Sequence, residues 1–408
     1  MTEAYELLGR VLRSALRGEK VNADTAAEPE IWLKMMRLAG EHQLSGLVYD
    51  AVYRCPSFCA IDPQTRGELR QQAVSSAIRQ AIQTNEFLTL ILHAQEAGLR
   101  PIVLKGIIVR ELYPVPILRP SIDEDLLIPQ DSAAEYHAFL LSEGLAIDDP
   151  EADVEKAGEL SYHRADSPTY IELHTLPFPA ESDAYGDCNE PFSEAREHTV
   201  TVRIQDVELR TLCPTDHLLY LILHAYKHFL HSGVGIRQVA DVCIMSEHFA
   251  AELDYDRILC ECRTLRIELF ASALFRIGRD YLGFSVPAVF LPIETDAGPL
   301  LDDILSGGLY GANDINRVHS STLTLDAVSA SKSGKRRGGV FASLFPSYKQ
   351  MCGKYPYLRK APVLLPAAWV QRGFAYLFRR GNNVRASESL RIGRERIELM
   401  KKYGIIDR

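Results

Sequence analysis

Two stretches decide the fold of this chain: Leu104-Lys105-Gly106 and, sixteen residues later, Asp123-Glu124-Asp125-Leu126-Leu127-Ile128. The first predicts the end of a short buried strand and a turn at glycine. Ile107–Tyr113 then predicts a short helix, which Pro114 ends because proline cannot continue it. The second stretch predicts another strand, so the order is strand, glycine turn, helix and strand.

The second strand carries paired carboxylates. Side chains alternate along a strand, so Asp123 and Asp125 face one way, ~7 Å apart. In Tyr170-Ile171-Glu172-Leu173-His174 the same alternation places Glu172 and His174 opposite the apolar residues. Carboxylate oxygens are the ligands that Mg²⁺ prefers, and Glu172 can supply a third from a neighbouring strand. A pair of aspartates alone is weak evidence, because such pairs are often solvated edge residues.

The glycine turn suits phosphate binding. Gly106 lets the backbone approach a triphosphate, and the following helix N-terminus favours negative charge. Lys105 adds a point charge for the same phosphates. Taken with the acidic strands, the order of elements is the one that metal-assisted phosphoryl transfer requires.

The remaining pattern predicts an α+β protein: a small mixed sheet with helices on one face, between N-terminal and C-terminal helical regions. Hairpins are expected at Ser161–His174 and Thr199–Leu212. Later helices are expected at Asp216–His231, Ile236–Phe249 and Tyr255–Leu282. Four regions follow: an N-terminal helical region (1–98), a catalytic core (99–212), a helical region (213–330) and a basic C-terminal region packed on the body (331–408).

One long helix is predicted from Glu68 to Gly98, where Gly98 suits a left-handed C-cap. Its apolar residues recur near a 3.6-residue period, which predicts a buried stripe. The stripe comprises Val74, Ile78, Ile82, Leu88, Ile91 and Leu92.

Composition indicates a soluble protein of the cytoplasm. The 408 residues are 47% hydrophobic and 24% charged, and no apolar run reaches the length of a membrane span. Acidic Glu3 and Glu6 stand where a signal peptide would carry basic residues. The eight cysteines form no C-x-x-C pair, which favours reduced thiols.

Charge is unevenly distributed around a net value of -9. Residues 331–408 carry 18 Lys/Arg and 4 Asp/Glu. Such a tail suits either a nucleic-acid arm or a segment packed on an acidic body. Aromatic residues within it favour the packed segment, because disordered basic arms lack them.

Histidines recur on one helix face at His217, His224, His228 and His231. Three interpretations stay open for His224 and His228: a zinc site, a cleft lining, or packing. No H-E-x-x-H motif supports zinc. Arg237 and the aspartate four residues later, Asp241, have the spacing of an intrahelical ion pair.

The chain resembles the uncharacterised nucleotidyltransferase family of bacteria, a branch of the polymerase-beta-like superfamily. Besides the two opening stretches, the resemblance rests on Leu112-Tyr113-Pro114, Arg119, Glu172-Leu173-His174, the helix of His224 and His228, and Arg237 to Asp241. Late blocks extend it over nearly the whole chain: Leu344-Phe345-Pro346, Tyr355-Pro356 and Leu364-Leu365-Pro366-Ala367-Ala368-Trp369.

The resemblance implies a polymerase-beta-like core, an NTP donor and Mg²⁺ or Mn²⁺. Carried over, Asp123, Asp125 and Glu172 become catalytic metal ligands. The nucleotide contacts become Lys105, Gly106 and Arg119. Separately from the carry-over, His174, His224, His228 and Arg237 are candidates for the lining of the cleft. Glu124 departs from the family pattern, which has an apolar residue between the aspartates. Its burial would be costly without a partner, so it is either exposed or paired.

The expected activity is transfer of an NMP from an NTP to an unidentified acceptor, with release of pyrophosphate. A small molecule, peptide or protein is expected as acceptor rather than nucleic acid. The alternative is a non-catalytic nucleotide-binding or partner-binding module with the same fold.

Overall fold

The computed structural model describes residues 2–308, 315–333, 357–378 and 386–407, together with residues 348, 351 and 355. The glycine- and lysine-rich stretch at 334–340 and the block Leu344-Phe345-Pro346 lie outside the described residues.

The N-terminal region is helical, as predicted. Its helices are α1 (Glu3–Ala15), α2 (Pro29–Glu41), α3 (Ser45–Val52), α4 (Pro56–Cys59) and α5 (Pro63–Glu96).

A seven-stranded mixed sheet follows, so the protein is of the mixed α and β class. Its elements are β1 (Ile102–Leu104), α6 (Gly106–Arg110), β2 (Glu124–Leu127), α7 (Ala133–Ser142), β3 (Ala146–Ile147), β4 (Glu159–His163), β5 (Tyr170–His174), β6 (Thr199–Ile204) and β7 (Val207–Leu212). The strand order is β3-β4-β5-β2-β1-β7-β6. β2 therefore lies between β1, to which it is antiparallel, and β5, to which it is parallel.

The rest of the described chain is helical. It comprises α8 (Pro214–His231), α9 (Ile236–His248), α10 (Tyr255–Thr264), α11 (Glu268–Ile277), α12 (Gly298–Gly307), α13 (Ile315–Ser333), α14 (Tyr357–Lys360), α15 (Leu365–Phe378) and α16 (Ala386–Lys402). Across the described ranges, no helix is long and apolar enough to cross a membrane.

Both faces of the sheet are covered, so the prediction of helices on one face is wrong. Val103 and Leu126 share a buried core with residues of α5 and α7. Leu104 and Leu127, on the other face, belong to the core that contains α8 and the N-terminal helices. Strand alternation places Asp125 on the second face, with Leu127, and Glu124 on the first.

The stripe predicted for α5 is wrong in its first half. Val74, Ile78 and Ile82 are 47%, 55% and 44% exposed, whereas Gln80 and Gln83 are buried. Leu92 is exposed as well, whereas Leu88 and Ile91 are buried as predicted. The reason is a loop that runs along α5 and needs hydrogen-bond partners for its backbone. Gln80 Oε1 accepts from the N–H of Ser121 at 2.7 Å, and Gln83 Nε2 donates to the carbonyl of Ile122 at 3.1 Å.

The single helix predicted for Tyr255–Leu282 is also wrong. Arg266 has a φ of 60°, in the left-handed region, and it separates α10 from α11. The N–H of Ile267 donates to the carbonyl of Cys262 at 2.8 Å, which closes the end of α10 and turns the chain. No glycine or proline marks this break in the sequence.

Glu124 is fully buried beneath the glycine turn and paired. Arg110 Nη2 and Ser121 Oγ donate to its Oε1, the latter at 3.1 Å, and the N–H of Ile107 donates to its Oε2 at 2.8 Å. A Cβ atom on Gly106 would lie 2.0 Å from Oε2, so only glycine fits above this carboxylate. Of the two alternatives for Glu124, the paired one is confirmed.

The end of the chain packs on the body. Arg396 of α16 is buried and donates to the backbone carbonyls of Phe229 and, at 2.7 Å, His231. Met400 and Tyr403 belong to the main core. Basic side chains also meet acidic ones of the body, as in the 2.6 Å pair between Lys332 and Asp187.

We expect Arg110→Met to lower the free energy of unfolding by about 3–5 kcal/mol, because Glu124 is left as an unpaired buried charge. Adding Glu124→Gln to that variant should recover part of the loss. Glutamine is neutral and keeps an oxygen for the N–H of Ile107. Urea unfolding of both single variants and the double variant measures this. If the free energy of unfolding lost in the double variant equals the sum of the losses in the two single variants, the two side chains do not interact.

We expect deletion of residues 331–408 to give an aggregating or much less stable protein, because it removes Met400 and Tyr403 from the core. The thermal midpoint and size-exclusion profile measure this. A truncated protein that stays soluble and loses only salt-dependent RNA retention would favour a nucleic-acid arm instead.

Candidate active site

Carboxylates from adjacent strands meet an imidazole at the end of β2. The parallel register of β2 and β5 sets Asp125 beside Glu172 and Leu127 beside His174. His174 Nε2 lies 3.0 Å from Asp125 Oδ1 and 3.4 Å from Glu172 Oε2. One ligand atom from each of Asp125, Glu172 and His174 lies within 4.8 Å of the others. We call these three residues the acid–histidine group.

Lys105 joins this group to the second aspartate. Its backbone has a φ of 23°, an unusual value for a lysine, which belongs to the tight turn at Gly106. The buried side chain places Nζ 3.2 Å from Asp123 Oδ2 and 3.0 Å from Asp125 Oδ2. Asp123 and Asp125 therefore face the same side, as strand alternation predicts.

Burial and charge act in opposite directions on these groups. Burial raises the pKa of Asp125, but Lys105 and His174 outweigh it and hold that pKa below its ordinary value. Burial would lower the pKa of His174, yet hydrogen bonds with Asp125 and Glu172 raise it to about 9. Burial also raises the pKa of Glu172, which His174 partly offsets while Asp125 and Asp123 raise it further. The positive charges of Lys105 and His174 thus balance most of the negative charge of Asp123, Asp125 and Glu172.

A narrow cleft opens beside Lys105, between the sheet and helices α8 and α9. Six residues predicted for the site line it: Lys105, Gly106, Arg119, Asp123, His224 and Arg237. Four further residues complete the lining: Ser121, Leu221, Gln238 and Asp241. Lys105 connects the cleft with the acid–histidine group.

Arg119 is buried in the cleft wall by a bidentate ion pair. Its Nε and Nη2 donate to Asp241 at 3.1 and 2.6 Å, and Tyr113 Oη donates to the same carboxylate at 2.8 Å. Asp241 outweighs the effect of burial and raises the pKa of Arg119, so the guanidinium stays charged. Arg119 Nη1 is buried and, among the described residues, has no hydrogen-bond partner. It remains a donor within the lining.

Arg237 does not pair with Asp241, so that prediction is wrong. Its Nη1 donates to Gln43 Oε1 at 3.0 Å and to the carbonyl of Pro120. Asp241 pairs instead with Arg119, which lies more than a hundred residues before α9 in the sequence. A short-range pattern on one helix cannot reveal such a long-range partner.

His224 and His228 face each other, with their Nε2 atoms 3.2 Å apart. Burial lowers the pKa of both well below the ordinary value, and Lys105 adds to this for His224. Both are therefore neutral at pH 7, and one donates to the other. Within the described ranges, neither belongs to a group of three metal-ligating side chains. Of the interpretations left open, a cleft lining fits His224.

The sequence reasoning missed two features. It treated His174 only as a cleft residue, whereas its ring contacts Asp125 and Glu172 directly. It also missed Gln238, whose buried Nε2 has no hydrogen-bond partner among the described residues and lines the cleft. The two-residue spacing of Glu172 and His174 on one strand was the signal for the first. No local signal marks Gln238.

The acid–histidine group suits a divalent cation. Asp125 Oδ2 is buried and accepts no hydrogen bond of good geometry from the described residues, although Lys105 Nζ is 3.0 Å away. Two carboxylate oxygens and an imidazole nitrogen are ligands for Mn²⁺, and the carboxylates alone suit Mg²⁺. Asp123 is not part of the acid–histidine group, but it contacts Lys105, which also contacts Asp125 of that group.

Neither the curated proteins nor the solved structures contain a match to this chain. The model of a family described as uncharacterised nucleotidyltransferase matches residues 28–283, which include all of the residues above. The match covers more than half of the chain, and the chain therefore belongs to the uncharacterised nucleotidyltransferase family.

Proposed function

We propose that this protein is a nucleotidyltransferase that moves an NMP from an NTP to an acceptor hydroxyl and releases pyrophosphate, with Mg²⁺ or Mn²⁺ as cofactor. The observation that carries the proposal is that Lys105, at the edge of the cleft, contacts both Asp123 and Asp125, and that Asp125 belongs with Glu172 and His174 to one group of metal-ligating atoms. In this proposal the mixed sheet around β2 is a polymerase-beta-like core.

Asp125 and Glu172 would hold the metal, with Asp123 at the cleft side and His174 as an added ligand or as the partner that orients both carboxylates. When bound, the ion neutralises the phosphates and polarises the reacting phosphoryl group. Glu172 would either complete the ligand set or take the proton of the acceptor. Its raised pKa makes it a stronger base than Asp125.

The cleft offers donors for the nucleotide. Lys105 brings a positive charge to within 3.2 Å of Asp123, where the phosphates would lie. Arg119 Nη1 and Gln238 Nε2 are buried donors in the lining that have no hydrogen-bond partner among the described residues. Such atoms are costly to bury, which supports a bound acceptor of hydrogen bonds such as a phosphate. Gly106 also lines the cleft beside Lys105.

We assign the N-terminus of α6 a smaller part in phosphate binding than the sequence predicts. The N–H of Ile107 is already bound by Glu124, so it is not among the donors that we assign to phosphate. The nucleotide contacts that we propose are therefore side-chain contacts from Lys105, Arg119 and Gln238. Gly106 lines the cleft, and the place of its missing side chain is filled by Glu124.

A non-catalytic binding module is the second candidate. It is favoured by the pairing of Lys105 and His174 with the carboxylates, which balances the site without a metal. The two candidates differ in metal dependence, because a catalytic site must bind its nucleotide together with the ion.

We expect an NTP to bind weakly in EDTA and at least about tenfold more tightly with Mg²⁺ or Mn²⁺, because three carboxylates outnumber the cations Lys105 and His174 and repel a triphosphate. Calorimetry measures both affinities. Equal affinity with and without the ion would contradict the metal assignment and favour the non-catalytic module.

We expect Asp123→Asn to abolish nucleotide transfer and to keep the fold, with an unchanged or raised thermal midpoint. Lys105 retains Asp125 as a partner at 3.0 Å, and removal of one of several crowded like charges relieves repulsion. Asp131→Asn, at an exposed position before α7, is the control. Labelling of a cell extract with NTPs labelled at the α-phosphorus measures transfer. Unfolding of the Asp123 variant would instead identify that residue as structural.

A further inference from the structure

A groove lies next to the cleft, along a short wall formed by residues 120–122. Ser121 lines both the groove and the cleft, and Asp123 follows the wall directly. The other side of the groove is α5. An acceptor bound in the groove would therefore lie within two residues of Asp123, the assigned carboxylate that lines the cleft.

The wall is held from both sides. Gln80 and Gln83 of α5 bond to the backbone of Ser121 and Ile122, and Arg237 donates to the carbonyl of Pro120. A wall with its backbone bonded in this way keeps its shape, so the groove is formed before any ligand arrives.

The lining of the groove selects the class of ligand. Among the described residues that line it, none is acidic or aromatic, and Arg79 alone is basic. Amide and hydroxyl groups of Gln43, Gln72 and Ser76 line it, with Ile122, 52% exposed, and Pro168 as apolar contacts. One cation cannot neutralise a nucleic-acid backbone, and no aromatic ring is present to stack on a base.

We propose that this groove binds the acceptor, and that the acceptor is an uncharged polypeptide segment carrying a serine, threonine or tyrosine hydroxyl. This inference rests on the proposed nucleotidyl transfer. Amides and hydroxyls of the lining match the N–H and C=O groups of an extended backbone, while Ile122 and Pro168 contact an aliphatic side chain. A glycan fits less well, since no aromatic ring covers the flat face of a sugar.

The transfer forms one bond to the α-phosphorus and breaks another. The hydroxyl oxygen forms a bond to the α-phosphorus, and the bond from that phosphorus to the bridging oxygen of the β-phosphate breaks. Pyrophosphate leaves with the electron pair of that bond, and the hydroxyl proton passes to a carboxylate of the cleft. The peptide then carries an NMP through a phosphodiester.

The test uses the full-length protein, Mg²⁺ and NTPs labelled at the α-phosphorus. The probes are short uncharged peptides with one serine, threonine or tyrosine, their alanine-substituted counterparts, an RNA oligonucleotide and an oligosaccharide. Ser76→Trp and, as a second variant, Gln72→Trp fill the groove from α5. Ser75→Trp is the matched control, because Ser75 is exposed on the same helix outside the groove lining.

We expect the hydroxyl peptides to be labelled, and labelling to fall by about tenfold or more in each groove variant but not in Ser75→Trp. Metal-dependent NTP binding, measured by calorimetry, should stay unchanged in all three variants. Labelling of the RNA or oligosaccharide but not of peptides would overturn the inference, as would peptide labelling that Ser76→Trp and Gln72→Trp leave intact. If the wild-type protein binds no NTP with the metal, the proposed function itself fails.

Discussion

The buried pair of Glu124 and Arg110 fixes the geometry on which the rest of the site depends. Side chains alternate along β2, so one strand sends Asp125 to the face of the acid–histidine group and Glu124 to the opposite face. There the carboxylate accepts from Arg110, Ser121 and the backbone of Ile107, which ties the glycine turn to the sheet. A buried carboxylate without these partners would cost several kcal/mol, so the turn, the helix after it and the loop before β2 are all set by one side chain.

Above that pair, the site is organised by a near balance of charge. Lys105 reaches Asp123 and Asp125 from the turn, and His174 reaches Asp125 and Glu172 from β5. Lys105 contacts two carboxylates and His174 contacts three, the third being Glu159 at 3.7 Å, so the group is held together without an ion and still carries excess negative charge. A divalent ion that enters must replace these contacts, and this leaves Lys105 beside the position where phosphates would lie.

Local sequence pattern was sufficient to predict the strands and the turn that hold the candidate site. The alternation of Asp123 and Asp125, the glycine turn and the hairpin at Thr199–Leu212 depend on neighbours in sequence, and the structure has them. Pairing of Arg119 with Asp241 depends on residues 122 positions apart, and no periodicity encodes it. The break at Arg266 escaped prediction for a related reason, since an arginine adopts a left-handed backbone only where packing requires it.

The wrong burial predicted for the first half of α5 also arises from contacts between residues far apart in sequence, and these contacts lie next to the candidate site. Periodicity assigned the aliphatic side chains of α5 to the core, because burial of apolar area is the usual requirement for a surface helix. Here the helix faces a loop whose backbone groups have no strand partner, and Gln80 and Gln83 satisfy them. Hydrogen bonding of that loop outweighs the burial of Ile78 and Ile82, which remain exposed. The polar face of α5 thus supports the wall that separates the cleft from the groove.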